Sequence, residues 1–195
     1  MIPLNGYQIV LASGSPRRKA FMESLKIPFC LKTFSVDESF PPKLSGSAIA
    51  EFIVHQKNAP FVDIIQPKQI VITADTIVWF ENQYLGKPKD KSNAHQMLRF
   101  LSGKSHHVIT SVGFLTSKKF EMITETTKVY FNHLTDREIY RYIEEESPLD
   151  KAGAYGIQDS IGDLAIKRIE GSYTNVIGLP LAQVKEKISF LVQEE

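Results

Sequence analysis

The stretch Ile9-Val10-Leu11-Ala12-Ser13-Gly14-Ser15-Pro16-Arg17-Arg18 constrains the fold most. Apolar strand formers run into a small-residue turn. A helical pattern follows from Pro16 to Leu25, with Phe21 and Leu25 on one face. A strand joined so closely to a helix is a building unit of α/β architectures. Ser15 has the chemistry of an N-cap and Pro16 that of a first helical residue. Arg17 and Arg18 run against the rule, because cations in a first turn face the positive end of the helix dipole. Two readings stand at this point. Either both are solvated surface arginines, or an anion sits at the turn, where free N–H groups and guanidinium forks suit phosphate or carboxylate. The stretch is neither a Walker loop nor a Gly-x-Gly-x-x-Gly dinucleotide fingerprint.

The rest of the chain alternates strand and helix patterns without internal repeats. Strands are expected over 7–12 and 28–34, and a loop over 35–42. Ser47 reads as the cap of a helix carrying Ile49, Phe52, Ile53 and Gln56. Lys57 lies at its end, and Pro60 stops or kinks it. Residues 69–74 are a continuous apolar run suited to a buried central strand. Asp75 and Thr76 interrupt the run, and residues 77–80 resume it. A turn at 81–83, a rigid polar loop at 86–90 and a helix at 91–101 follow. Residues 108–116 and 120–131 read as a hairpin. Thr135 and Glu138 form a capping box for a helix over 136–146. Residues 148–159 are too glycine-rich for a regular element. Residues 164–169 read as a strand and 171–175 as an irregular polar loop. The last helix starts at Pro180, with Leu181, Val184, Ile188 and Leu191 on one stripe. Crossover and hairpin connections together imply a mixed sheet.

At 195 residues the chain reads as a single domain over 1–195, long enough for a substantial core. Its net charge of +1 gives no whole-molecule attraction to nucleic acid or membrane, so any anion site must be local. The lone cysteine, Cys30, excludes an intrachain disulfide and a cysteine-based zinc site, and reads as a buried small hydrophobe. The start lacks a charged n-region, and no apolar segment reaches about 18 residues. A cytoplasmic protein without signal or anchor is therefore expected.

Asp75 is the strongest single candidate for chemistry. A carboxylate amid Ile-Thr-Ala-Asp-Thr-Ile-Val is expensive to bury unpaired, so it is paired, metal-bound or at a strand end opening on a cleft. Lys87, in a Gly-Lys-Pro turn, reads as a phosphate ligand or a solvated loop lysine, and Lys57 has the same two readings. Asp37 and Glu38 are solvated loop acids or ligands of a hard cation such as Mg²⁺. Gln158 either reads a base edge or satisfies its own turn. Adjacent His106 and His107 point to opposite strand faces and make poor joint metal ligands.

Four blocks resemble the Maf family of nucleoside triphosphate pyrophosphatases: Leu-Ala-Ser-Gly-Ser-Pro-Arg-Arg (11–18), Ala-Asp-Thr-Ile-Val (74–78), Gly-Lys-Pro-Lys-Asp (86–90) and Asp-Lys-Ala-Gly-Ala-Tyr-Gly-Ile-Gln (150–158). A fifth, at 170–181, supports them, and the match spans nearly the whole chain. The resemblance implies an elongated mixed β-sheet flanked by helices, with two lobes around a central cleft, similar to inosine triphosphate pyrophosphatases. It implies hydrolysis between the α and β phosphates to a nucleoside monophosphate and pyrophosphate, with a divalent metal, Mg²⁺ or Mn²⁺. The family's catalytic acid falls on Asp75, and its phosphate-binding groups on Ser13, Arg17, Arg18, Lys57 and Lys87. Glu38 falls on a loop glutamate near the site and, with Asp75, is the candidate metal ligand. Arg17, Thr76 and Gln158 fall on the positions that separate subfamilies and look like the dTTP/UTP-preferring branch. A branch acting on 7-methyl-GTP carries a bulky aromatic in place of the first arginine. Dimers are usual in the family.

Three departures are visible. Thr73 stands where the family usually has Gly, Asp159 replaces a small residue after Ile-Gln, and Pro60 interrupts a helix that commonly continues. Asp159 adds charge beside Gln158, which bears on base preference. Two alternatives stand beside dTTP/UTP hydrolysis. One is a house-cleaning pyrophosphatase for modified nucleotides. The other is a non-enzymatic nucleotide-binding regulator of cell division, which has no need of the acid and both lysines.

Overall fold

Strand β1 (Gln8–Leu11) has parallel partners on both edges in the computed structural model, which describes residues 2–193. The three other residues of the 1–195 span lie outside the described residues. On one side is β2 (Phe29–Leu31), with Val10 opposite Cys30. On the other is β3 (Gln69–Phe80), with Leu11 opposite Ile72. Parallel neighbours need crossovers, and helices α1 (Pro16–Ser24) and α2 (Ser47–Asn58) supply them. Successive side chains of β1 and β3 point to opposite faces, and both faces are covered. Ile9, Leu11, Ile70 and Ile72 pack with Met22 of α1 and with Val184, Ile188 and Leu191 of α7 (Leu181–Leu191). Val10, Ala12 and Val71 pack with Phe61 on the other face.

The sheet has seven strands in the order β2, β1, β3, β5 (Ser105–Leu115), β6 (Phe120–Phe131) and β7 (Ile166–Glu170), with β4 (Gln83–Leu85) paired antiparallel to β3. Strands β5 and β6 form the expected hairpin, closed by the Thr116 N–H donating to Lys119 O at 2.9 Å. Strand β7 runs antiparallel to β6. The architecture is mixed α/β, an open sheet flanked by helices. No helix among the described residues is long and apolar enough to cross a membrane.

The described residues cluster into two compact units. The first takes those up to Asp75, Thr110–Glu125 and those from Gly178 onward, and holds the two apolar clusters above. The second, Thr76–Ile109 and Thr126–Ile177, has its own core. There Val78, Val108 and Phe131 pack with Leu98 of α3 (Lys91–Leu101) and Ile139 and Tyr142 of α4 (Asp136–Glu146). Helix α4 opens with the capping box read from the sequence, Thr135 and Glu138 satisfying each other's backbone N–H groups.

Several expectations change. Strand β3 is not interrupted at Asp75 and Thr76 but runs unbroken for 12 residues. Gly46, not Ser47, occupies the cap position of α2; its φ of 55° suits a residue without a Cβ. Cys30 is exposed rather than buried, because β2 is a short strand at the edge of the sheet. Residues 160–165 form helix α5 (Ser160–Ala165), and the following strand starts only at Ile166. So short a helix shows little periodicity; its tight seat appears at Gly162, where a Cβ would fall 2.1 Å from the Ile157 carbonyl oxygen. The polar segment 171–175 runs into a one-turn helix, α6 (Tyr173–Ile177). A tertiary contact makes it regular: buried Asn175 donates its amide to Val108 O at 3.1 Å and to Thr127 Oγ1 at 2.9 Å.

Candidate active site

Parallel pairing of β1 and β3 in register brings Ser13 and Asp75 to one place. The last ladder contact is Ala12 N–H donating to Ile72 O at 2.8 Å, after which β1 turns away through Ser13 and Gly14. The Ala74 carbonyl, two residues along the same edge, therefore has no β1 donor. Two side chains supply donors instead: Arg18 Nη1 at 3.0 Å and Lys57 Nζ at 3.5 Å. In open α/β sheets, the carboxyl ends of parallel strands are where ligands bind.

Strand alternation then turns the Asp75 side chain to the face that carries Val71. Lys57 meets it there. Ile49, Ile53 and Lys57 follow each other at intervals of four, so the buried stripe of α2 ends in an ammonium. Lys57 Nζ lies 2.7 Å from Asp75 Oδ1 and 3.0 Å from Glu38 Oε1. The Asp75 and Lys57 side chains are only 11% and 17% exposed, so the pair is poorly screened by solvent, whereas Glu38 is 46% exposed. The neighbouring acid does something else. Asp37 accepts from Ser39 N at 2.9 Å and Ser39 Oγ at 2.7 Å, and these bonds hold its carboxyl below the usual range. The acidic pair read from the sequence is thus divided; only Glu38 joins the cluster.

Arg18 is a clamp. Besides Ala74 O, its guanidinium donates to Gly178 O at 2.9 Å and to Ser13 Oγ at 3.3 Å, tying three segments together. Burial pulls its pKa below the usual arginine value, an effect that Asp75 opposes and neighbouring Arg17 reinforces. Ser15 caps α1 as expected, accepting from Arg18 N at 3.4 Å. Arg17 is half-buried at the start of α1. Nothing in the sequence marked the Gly178 and Ala74 carbonyls as partners. Gly178 has a φ of 122°, a conformation that a side chain would disfavour.

Thr73 sits two residues before Asp75 on the same face and is fully buried. Its room comes from β5: a Cβ on Gly113 would fall 2.7 Å from Thr73 Oγ1 and 2.8 Å from Val54. The Thr73 hydroxyl makes no hydrogen bond within the described residues.

The remaining candidates belong to the second unit. Thr76 follows Asp75 on β3 with its side chain on the other face of the strand. Lys87 is exposed, in a loop whose Gly86 carbonyl accepts from Gly153 N at 3.0 Å. Gln158 is exposed in the turn before α5. Asp159 does not add an open charge beside it. Its carboxylate is paired with Lys151 Nζ at 3.1 Å and accepts from Tyr142 OH at 2.8 Å. Burial, reinforced by that bond, raises the Tyr142 pKa above the usual phenol value.

No group of three or more His, Cys, Asp or Glu among the described residues forms a metal cage. Two carboxylate oxygens within 3.0 Å of one cation suit a different kind of site. A hard divalent ion held by one or two carboxylates completes its shell with water and substrate phosphate oxygens. The donor chemistry of Asp75 and Glu38 fits such an ion.

The fold and this cluster define an α/β protein with a mixed-charge site at the carboxyl end of parallel strands. Its fold is shared with the structure of the Staphylococcus aureus Ham1 protein, with a TM-score of 0.50 at 14% identity over 96% of this chain and 100% of that one. Residues 8–190 match the family model described as Maf-like protein. A Flavobacterium johnsoniae protein named dTTP/UTP pyrophosphatase is 46% identical over 189 residues, covering 97% of each chain. A Bacteroides thetaiotaomicron protein of the same name is 44% identical over 182 residues, covering 93% of this chain and 94% of that one. The chain belongs to the Maf family.

Proposed function

We propose that this protein is a nucleoside triphosphate pyrophosphatase that hydrolyses dTTP and UTP to the monophosphate and pyrophosphate. The reaction class is carried by one observation: Ser13, Arg18, Glu38, Lys57 and Asp75 meet at one strand end. The choice of base is supported by the names of relatives at 44–46% identity and by the identities of Arg17, Thr76 and Gln158.

In the reaction, water attacks the α-phosphorus in line with the bridging oxygen. The bond from the α-phosphorus to that oxygen breaks, pyrophosphate leaves with the oxygen, and water gives up one proton. Asp75 is assigned to orient the water and accept that proton. Its carboxylate is held by Lys57 through the side chain and by Arg18 through the Ala74 carbonyl, so its position is fixed before substrate arrives. Ser13, Arg17, Arg18, Lys57 and Lys87 are assigned to the phosphate chain, where oriented donors stabilise developing charge. Mg²⁺ or Mn²⁺ bound through Asp75 and Glu38 would neutralise phosphate oxygens and the leaving group. A homodimer, supported by the family resemblance, belongs to the same reading and is checked by light scattering.

Pyrophosphate release from a panel of nucleoside triphosphates, with Mg²⁺ or Mn²⁺ and with chelator, tests the proposal. Metal-dependent turnover led by dTTP and UTP is expected. Turnover confined to modified nucleotides would overturn the base preference, and no turnover by folded protein would overturn the reaction.

A further inference from the structure

We propose that Lys57 is the site's own stand-in cation, which keeps a divalent ion from binding until the nucleotide arrives. The inference rests on the reading above, in which metal and triphosphate meet at Asp75. An ammonium has three donors. At Lys57 three oxygens surround it: Asp75 Oδ1 at 2.7 Å, Glu38 Oε1 at 3.0 Å and Ala74 O at 3.5 Å. Two carboxylates and a backbone carbonyl are also the donor chemistry of a hard divalent cation. The same oxygens therefore serve either cation.

A divalent ion taking those carboxylates meets the ammonium at close range. Like charges at that distance repel strongly, most of all where solvent screening is poor. Lys57 and Asp75 are both largely sequestered, and the stem of Lys57 is anchored in the buried stripe of α2. The ammonium can leave the carboxylates only if other anions receive it. A triphosphate brings such anions, and nothing else the reaction requires does. Metal and nucleotide are then linked: each strengthens binding of the other by the same factor, with Lys57 as the element that moves. The buried ion pair so gains a role apart from stability, which pairs of this kind often supply poorly.

The test uses Mn²⁺ alone on the full chain without nucleotide, with free ion read by electron paramagnetic resonance. The unmodified protein is expected to bind weakly. Lys57→Met is expected to bind one Mn²⁺ at least about tenfold tighter. Adding Glu38→Gln to Lys57→Met is expected to remove the gain. Should the methionine variant fail to fold, Lys57→Gln keeps an amide donor for Asp75 while removing the charge. Tight binding by the unmodified protein overturns the proposal, and so does equal affinity in the Lys57 variants. Nucleotide turnover by the unmodified protein is measured in parallel. Its absence defeats the functional reading, whereas normal turnover with unchanged Mn²⁺ affinity defeats this inference alone.

Discussion

The two units hold their candidate residues in opposite ways. In the first, Ser13, Arg18, Glu38, Lys57 and Asp75 are already bonded to one another or to backbone carbonyls. In the second, Lys87 and Gln158 stand exposed, while the backbone and charges around them are tied down by Gly153, Lys151 and Tyr142. The difference separates two kinds of work. Groups that stabilise developing charge act best when oriented in advance. Arg18, bonded to three oxygens, is held in this way, and Lys57 is the one member of the set proposed to move when nucleotide binds. Groups that select a ligand must leave their hydrogen-bonding capacity for it. On the proposed function, the bonded set of the first unit serves the reaction, and the exposed side chains of the second serve ligand binding, Lys87 at phosphate and Gln158 at the base.

The largest effect is expected at Asp75. Asp75→Asn keeps an oxygen to accept from Lys57 but loses the proton acceptor. Turnover should fall by roughly 10²- to 10⁴-fold, the usual size of general-base catalysis, while the thermal transition stays cooperative. Pyrophosphate release and circular dichroism measure the two. Substantial retained activity would remove Asp75 from the reaction centre.

Among the buried titratable groups of the second unit is a histidine that serves packing. His106 is 1% exposed, and its Nε2 lies 2.7 Å from Tyr155 OH. Burial pushes its pKa down from 6.5 to about 3, with the charge of His107 adding to the shift. Between those values the unfolded chain binds a proton that the folded chain does not. Stability is therefore complete above pH 6.5 and is lost as pH falls toward 3, by roughly 2 kcal/mol at pH 5. Urea unfolding at pH 7 and pH 5 should show that loss. It should shrink in His106→Gln, which keeps an amide for Tyr155. Equal pH dependence in both proteins would assign the acid sensitivity elsewhere.

How much of this was legible depended on the range of the contacts involved. Strand β1, the start of α1, the first half of the central strand and the capping box of α4 follow from patterns within a few residues, whereas the passage of β3 through Asp75 and Thr76 does not. Lys57 was legible only as a residue at the end of α2; its place in line with Ile49 and Ile53 emerges with the helix itself. Asp75 was legible as costly to bury, but its partner was not, because Lys57 precedes it by 18 residues and only the crossover unites them. The clamp role of Arg18 was hidden for a different reason. Its acceptors are the carbonyls of Ala74 and Gly178 and the hydroxyl of Ser13, and backbone groups leave no signature in residue identity. Helix α6 depends on the buried amide of Asn175, a contact 67 residues long, and no local pattern announces it.

Lys87 tests the binding side of the comparison more gently than Asp75 tests the reaction side. Lys87→Ala removes an exposed charge. Its melting temperature should match the unmodified protein, while kcat/KM falls about tenfold, the value of one charge-assisted contact to phosphate. A drop carried by KM supports a binding role. A drop in kcat alone would move Lys87 to the reaction centre and blur the division.

The smallest effect is expected at Gln158, and it is the one that bears on the base. The amide both donates and accepts, and the carboxylate next to it is occupied by Lys151 and Tyr142, so the amide is the polar group the turn presents. One hydrogen bond contributes about 0.5–1.5 kcal/mol. Gln158→Ala should therefore change the ratio of kcat/KM for dTTP against a purine triphosphate by roughly three- to tenfold, with total turnover of the better substrate changed less. Asp159→Asn provides the contrast. It weakens the pairing with Lys151 without touching the amide, so it should alter stability before it alters the ratio. If the ratio responds to Asp159 and not to Gln158, selection lies in how the loop is held. If it responds to Gln158 alone, the exposed amide itself reads the base.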